Sequence, residues 1–87
     1  MKINFTETGW KDYLYWESQD KKTLKQINRL IDDITRNGNS GIGKPKPLRE
    51  GFAGWWSRRI DDKNRLVYRL TNDTVEITQC KGHYGDK

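Results

Sequence analysis

Leu24, Ile27, Leu30, Ile31 and Ile34 fall at helical spacing across three turns. Lys21, Lys22, Lys25, Asn28, Arg29, Asp32, Asp33 and Arg36 occupy the positions between and beside them. The spacing predicts a helix with one apolar face and one polar face. Asp20 is placed to cap its start, and Gly38 after Asn37 to stop it. Such a helix draws most of its stability from whatever covers the apolar face. The rest of the chain must supply that cover, and at 87 residues it amounts to one domain, residues 1–87, with a modest core. Only 32% of the residues are hydrophobic, so the four tryptophans and four tyrosines carry much of the buried area.

Strands are the natural cover. Trp55 to Ile60 and Arg65 to Leu70 are rich in aromatic and branched residues, and Asp61-Asp62-Lys63-Asn64 between them are turn formers. Asn72 and Asp73 predict the next turn. Thr74 to Lys81 follows as a strand with Val75 and Ile77 inward. At the other end, Lys2 to Thr6 alternates around Ile3 and Phe5 as a short opening strand. Thr6 then caps a first helix with Glu7 in its first turn. Trp10, Tyr13, Leu14 and Glu17 keep helical spacing there. Tyr15 and Trp16 widen the aromatic stripe, which reads as packing surface rather than a cofactor box. Ser18, Gln19 and Asp20 break the pattern. Leu48 to Ala53 reads as a short strand or bend. The expected architecture is α+β: an N-terminal strand, two helices, then an antiparallel sheet with the helices on one face.

Asn37 to Pro47 reads as a loop, because its glycines and prolines disfavour regular structure. It is not a nucleotide-binding loop: the Walker spacing ending in Gly-Lys-Ser/Thr is absent and no strand precedes it. Lys44, Lys46 and Arg49 place positive charge next to the hairpin, which itself carries Arg58, Arg59, Arg65 and Arg69. A solvated face explains any one of these arginines. The four together, beside two tryptophans, suggest an anion-binding face. A net charge of +5 and a pI near 9.5 fit nucleic acid, an acidic protein or a membrane surface as partner. No run is long and apolar enough to span a bilayer, and the N-terminus lacks a signal peptide's apolar segment, so a cytoplasmic protein is expected. One cysteine and one histidine supply neither a disulfide framework nor a cysteine-rich zinc site, and no cofactor is expected. A solvated face accounts for the cations of the second helix. Asp32 and Asp33 among them argue against a DNA-recognition helix.

His83 is the only side chain whose ordinary pKa lies near neutrality, and Tyr84 adds a ring able to stack on a base. RNA cleavage needs a base for the 2′-hydroxyl, a cation for the charged phosphorane and an acid for the leaving oxygen. Arginine and histidine supply two of these, which by itself leaves the reaction open.

Trp10-Lys11-Asp12-Tyr13-Leu14-Tyr15-Trp16, Gly43-Lys44-Pro45, Pro47-Leu48, Trp56-Ser57-Arg58-Arg59-Ile60, Arg65-Leu66-Val67-Tyr68 and His83-Tyr84 form a specific set. With these segments the chain resembles, nearly end to end, the YoeB toxins of the RelE superfamily. The resemblance implies a microbial-ribonuclease-like fold and an mRNA endonuclease, free of metal and cofactor, that works in the ribosomal A site. It also implies silencing by a YefM-type antitoxin, a homodimer, and operator DNA contacts only through the antitoxin complex. By position, Arg65 resembles the phosphate-stabilising arginine, His83 the general acid and Tyr84 the base-positioning tyrosine. Arg59, Arg49 and Lys44 fall where the family has basic residues near the substrate phosphates. One position departs. Where the family usually has a glutamate, the proposed general base, this chain has Lys46. An ammonium accepts no proton, and an exposed lysine keeps its charge at neutral pH. Three readings follow: a weakened or inactive nuclease that still binds ribosome and antitoxin, a lysine base created by burial, or Glu50 acting in its place.

Overall fold

Thr6 and Asp20 set both helices, as their positions predict. In this computed structural model, which describes residues 1–49 and 51–83, Thr6 Oγ1 accepts the Gly9 N–H at 3.1 Å and opens α1 (Glu7–Gln19). Asp20 Oδ1 accepts the N–H groups of Lys22 and Thr23 at 3.1 and 3.2 Å and opens α2 (Lys21–Asn37). These bonds satisfy donors that a helix start otherwise leaves open. Gly38 ends α2 in the left-handed region, φ 64°, donating its N–H to the Ile34 carbonyl.

The strands are β1 (Lys2–Phe5), β2 (Lys46–Pro47), β3 (Trp55–Arg59), β4 (Arg65–Thr71) and β5 (Thr74–Gln79), in the sheet order β1-β5-β4-β3-β2. β3 and β4 form the expected hairpin, in register from Trp55↔Arg69 to Arg59↔Arg65. The sequence pattern did not show that β1 pairs parallel to β5, with Lys2 opposite Thr74 and Phe5 opposite Ile77, so the sheet is mixed. A parallel pair needs a long crossover, and here α1, α2 and the β2–β4 ladder provide it. The loop expected through Pro47 is also shorter than its composition suggested. Lys46 and Pro47 pair with Ser57 and Trp56 as the sheet's edge, where proline's missing N–H costs no ladder bond.

Both helices cover one face. Ile27, Leu30, Ile31 and Ile34 of α2 pack with Leu66, Tyr68, Val75, Ile77 and Cys80, and Phe5, Tyr13, Trp16, Trp56 and Leu70 close the margin. Trp16 Nε1 donates to the Cys80 carbonyl at 2.8 Å, and Tyr13 joins the helices through Asn28 Oδ1 at 2.7 Å. Asp12 accepts the Cys80 N–H at 3.1 Å; its burial raises its pKa above the usual carboxylate value. Burial, helped by the Asp12 charge, pushes the Cys80 thiol up to about 12, so it is inert as a nucleophile.

α1 lies against β5 so closely that a Cβ on Gly9 would strike the Ile77 carbonyl, a backbone atom with no room to retreat. Alanine gains about 1 kcal/mol over glycine in an open helix. Gly9→Ala should nonetheless lower the thermal midpoint; a midpoint that rises would show that α1 can lift off β5 at no cost.

Candidate active site

Alternation along the hairpin sorts its side chains. Trp56 and Arg58 share the helix-covered face with Leu66 and Tyr68, while Trp55, Ser57 and Arg59 share the outer face with Arg65, Val67 and Arg69. At the turn end of that outer face lies a cavity of about 300 Å³, lined by Lys44, Lys46, Ser57, Arg59 and Arg65. Four of its five lining residues are cationic and none is a carboxylate. The Arg59 side chain is 42% exposed and pairs with Asp62 three residues on. Arg65 Nη1 donates to the carbonyls of Asp61 and Asn64 at 2.7 and 3.1 Å, which fixes its guanidinium over the turn. The turn is rigid in its own right, since Asp61 Oδ1 accepts the N–H groups of Lys63 and Asn64 at 2.9 and 2.8 Å.

The same turn seats the chain end. Asn64 Oδ1 accepts the Gly82 N–H at 2.8 Å, and the Arg65 N–H donates to the Gly82 carbonyl at 2.9 Å. His83, half-buried, is the next residue, so backbone bonding holds it near the start of β4, though it does not line the cavity.

Lys44 and Lys46 reach the cavity because the loop before them is clamped from inside. Arg58 is fully buried, and each of its five N–H groups has a partner. Nε donates to the Tyr68 hydroxyl at 3.3 Å. Nη1 donates to Asp33 Oδ2 at 2.5 Å and the Ile42 carbonyl at 2.9 Å, and Nη2 to the carbonyls of Gly38 and Ser40 at 2.7 and 2.8 Å. Asp33, chiefly through its hydrogen bond from Arg58, is held below the usual carboxylate pKa despite some desolvation, and it also accepts the Ile42 N–H at 3.1 Å. One guanidinium thus joins α2, the loop and β3. The loop then touches β3 directly: the Arg59 N–H donates to the Gly43 carbonyl at 2.7 Å. A Cβ on Gly43 would meet Leu30 at 2.7 Å and Arg59 O at 3.3 Å, and φ is 82° there. Lys44 follows in the left-handed region, φ 52°, a conformation costing a side-chain-bearing residue about 1–2 kcal/mol. The clamp holds that cation beside the cavity.

The hairpin arginines therefore do not act as one anion-binding set. Arg58 is interior. Arg69 stacks 4.4 Å over the Trp55 ring and donates to Glu76 at 2.6 Å, which makes it a cross-strand strut. Arg59, paired with Asp62, and Arg65, held by two carbonyls, are the two that line the cavity where an anion can meet them. Arg49 is exposed but does not line the cavity. Lys46 is exposed on the two-residue edge strand, so the burial that a lysine base requires is not there. Glu50 and Tyr84 lie outside the described residues. Sequence reasoning missed Ser57, buried on the cavity floor, and the Asp33–Arg58 pair. Strand alternation from Arg59 gave a usable signal for Ser57. Nothing local linked residues 25 positions apart.

Chemically, four cations around a small open cavity can hold a phosphodiester and neutralise the charge that builds on it as a nucleophile attacks.

The family described as "YoeB-like toxin of bacterial type II toxin-antitoxin system" matches residues 5–84. Toxin YoeB of Streptomyces coelicolor is 52% identical over 84 residues, covering 97% of this chain and all of that protein. A YoeB/ParE toxin from Agrobacterium tumefaciens superposes with a TM-score of 0.94 at 41% identity, covering 97% of this chain and 100% of that one. YoeB of Staphylococcus aureus, 42% identical, has been solved as a dimer and in a heterotetrameric YoeB–YefM complex, with TM-scores of 0.91 and 0.90. In each case the match covers 97% of this chain and 98% of the other.

Proposed function

This chain belongs to the YoeB-like toxins of bacterial type II toxin–antitoxin systems, and from that premise we propose that it is an mRNA endoribonuclease that acts in the ribosomal A site and so halts translation. The observation that carries the reading is the cationic cavity, which gathers Lys44, Lys46, Arg59 and Arg65 at the end of the sheet where His83 arrives. Arg65, fixed over its turn, holds the charge of the phosphorane. Arg59 and Lys44 bind the flanking phosphates, with Arg49 further out. His83 protonates the leaving 5′-oxygen, and Tyr84 stacks on the base. The group that should take the 2′-hydroxyl proton is the weak point, because no carboxylate lines the cavity and Lys46 stands at the usual position. Slow cleavage is the expected behaviour. The test is single-turnover cleavage of ribosome-bound mRNA, with free RNA in parallel; a chain that cuts neither, with or without Lys46→Glu, is no nuclease. That same exposed Lys46 favours a second reading, a form that occupies ribosome and antitoxin without cutting.

The chain's partners on this reading are the ribosome and its mRNA, a second copy of itself, and a YefM-like antitoxin through which it reaches operator DNA. The site of action places it in the cytoplasm. An acidic antitoxin segment laid over Arg59 and Arg65 would order on binding, its entropic cost offset by charge pairing. Trp55, half-buried on the same face of β3 as Arg59, reports on that face. Adding the antitoxin should raise the thermal midpoint and change tryptophan emission; titration that moves neither argues that the antitoxin binds elsewhere.

A further inference from the structure

On the opposite side of the β3–β4 turn from the cationic cavity lies a larger groove, about 570 Å³, lined by Lys22, Thr23, Lys25, Gln26 and Arg29 of α2 and by Ile60 and Asp61. We propose that this groove is a second binding site for the phosphodiester backbone of single-stranded RNA, which continues the track of the cavity around the turn. The proposal rests on the RNA reading of the cavity and adds a site to it.

The cations of the groove lack the ion pairs that Lys11 and Arg36 make elsewhere on the helices. Lys11 pairs with Glu7 and Arg36 with Asp32, each one helical turn apart. Asp33 is taken by Arg58. Lys22, Lys25 and Arg29, all exposed, have no ion-pair partner among the described residues. They stand three or four residues apart on one helix face, where like charges repel. The first turn of α2 contains no acidic residue and begins Lys21-Lys22, so cations crowd the positive end of the helix dipole. Only the Asp20 cap opposes them. Local rules broken without compensation mark functional surfaces, and an anion lying along this face would relieve both conflicts. The one carboxylate in the lining, Asp61, is committed to the N–H groups of its own turn.

Continuity selects RNA over other polyanions. Ile60 faces the groove and Arg59 the cavity, on consecutive residues of one strand end. Arg65, which lines the cavity, grips the carbonyl of Asp61, which lines the groove, at 2.7 Å. A strand leaving the cavity past this turn meets Lys22, Lys25 and Arg29 next. Ile60 and the lysine stems offer an apolar floor for sugar or base.

The test uses the whole chain and fluorescein-labelled 2′-O-methyl oligoribonucleotides, which cannot be cut: a trinucleotide and a strand of about ten nucleotides. The parent should bind the long strand more tightly and with a steeper salt dependence. In the triple variant Lys22→Gln, Lys25→Gln, Arg29→Gln, long-strand affinity should fall about tenfold or more, and its log–log salt slope should shrink by about two, the share of three phosphate contacts on a single strand. Trinucleotide binding should stay unchanged. The variant's thermal midpoint should rise, since glutamine is an equal helix former and the repulsion is gone; a merely structural role predicts a fall. Arg65→Ala should weaken both strands, and if it weakens neither, the cavity reading fails while the triple variant still decides the groove. An unchanged long-strand affinity and slope in the triple variant overturns the proposal. So does a parent that binds neither strand, or one whose groove variant loses polyglutamate binding but not RNA.

Discussion

Lys46→Glu should speed single-turnover cleavage of ribosome-bound mRNA by about 100- to 10,000-fold, the range general base catalysis ordinarily contributes. The 2′-hydroxyl is a poor nucleophile until its proton leaves. The ammonium form of Lys46 has no lone pair to receive that proton, though its charge still helps to hold the phosphate. A carboxylate at the same place would stand on the edge strand opposite Ser57, in the cavity that Arg59 and Arg65 also line. Those cations keep it ionised and able to accept. Because the interaction is made only on the way to the transition state, the gain should appear in kcat far more than in binding. His83→Ala should slow both forms. A lysine base predicts the reverse: a parent already fast, a rate rising with pH through the lysine's titration, and nothing gained from glutamate. Rate against pH for the two proteins separates these outcomes, and a fast parent that glutamate fails to improve would sink the missing-base reading.

Arg58→Met should cost about 3 kcal/mol of stability or more, because it keeps the length of the side chain but strands the groups around it. The carbonyls of Gly38, Ser40 and Ile42 lose their donor, and Asp33 loses its counter-ion. Arg58→Lys should recover part of the loss, since an ammonium offers three donors from one point where the guanidinium offers five in a fixed fork. The damage should be largest in the loop. Amide exchange between residues 38 and 44 should accelerate well beyond that of β4 and β5, and RNA affinity should drop as Lys44 and Lys46 lose their placement. Acid supplies an independent handle. Asp33 titrates below its ordinary value of 3.8, so its contribution is complete above that value and disappears as pH falls through the depressed one. The parent should therefore lose stability on that acid limb, and Arg58→Met should lose less. Exchange in the loop that matches the parent would show that the clamp is dispensable.

Much of this structure was legible in the sequence because local chemistry agreed with the fold. Thr6, Asp20 and Gly38 marked helix ends that the backbone respects, and the aliphatic stripe of α2 is the core face apart from Leu24, which is half-buried at its margin. The hairpin and the inward Val75 and Ile77 followed from alternation. Pairings between distant residues were not legible. β1 beside β5, Lys46 and Pro47 on the sheet edge, and Arg58 against Asp33 are all set by tertiary geometry, which leaves no trace in spacing. The arginines show the cost of reading charge without facing. Four look alike in sequence, yet one belongs to the core, one to a strut and two to the cavity. Resemblance to a family brought the cavity residues together on paper; periodicity alone had no means of choosing among them.

The parallel pairing of β1 with β5 also bears on how the molecule comes to exist. The first strand made is completed by the last one made, across a sequence separation of 72 residues from Lys2 to Thr74. During synthesis from the N-terminus, β1 waits with its hydrogen-bonding edge open, and α2 waits for Val75 and Ile77 to cover it. An interior strand, β5 between β1 and β4, is the last of the described strands to arrive. A half-translated copy thus has neither a closed core nor the Gly82 contacts with Asn64 and Arg65, so the cationic cavity and the segment beside it take shape together, late in synthesis.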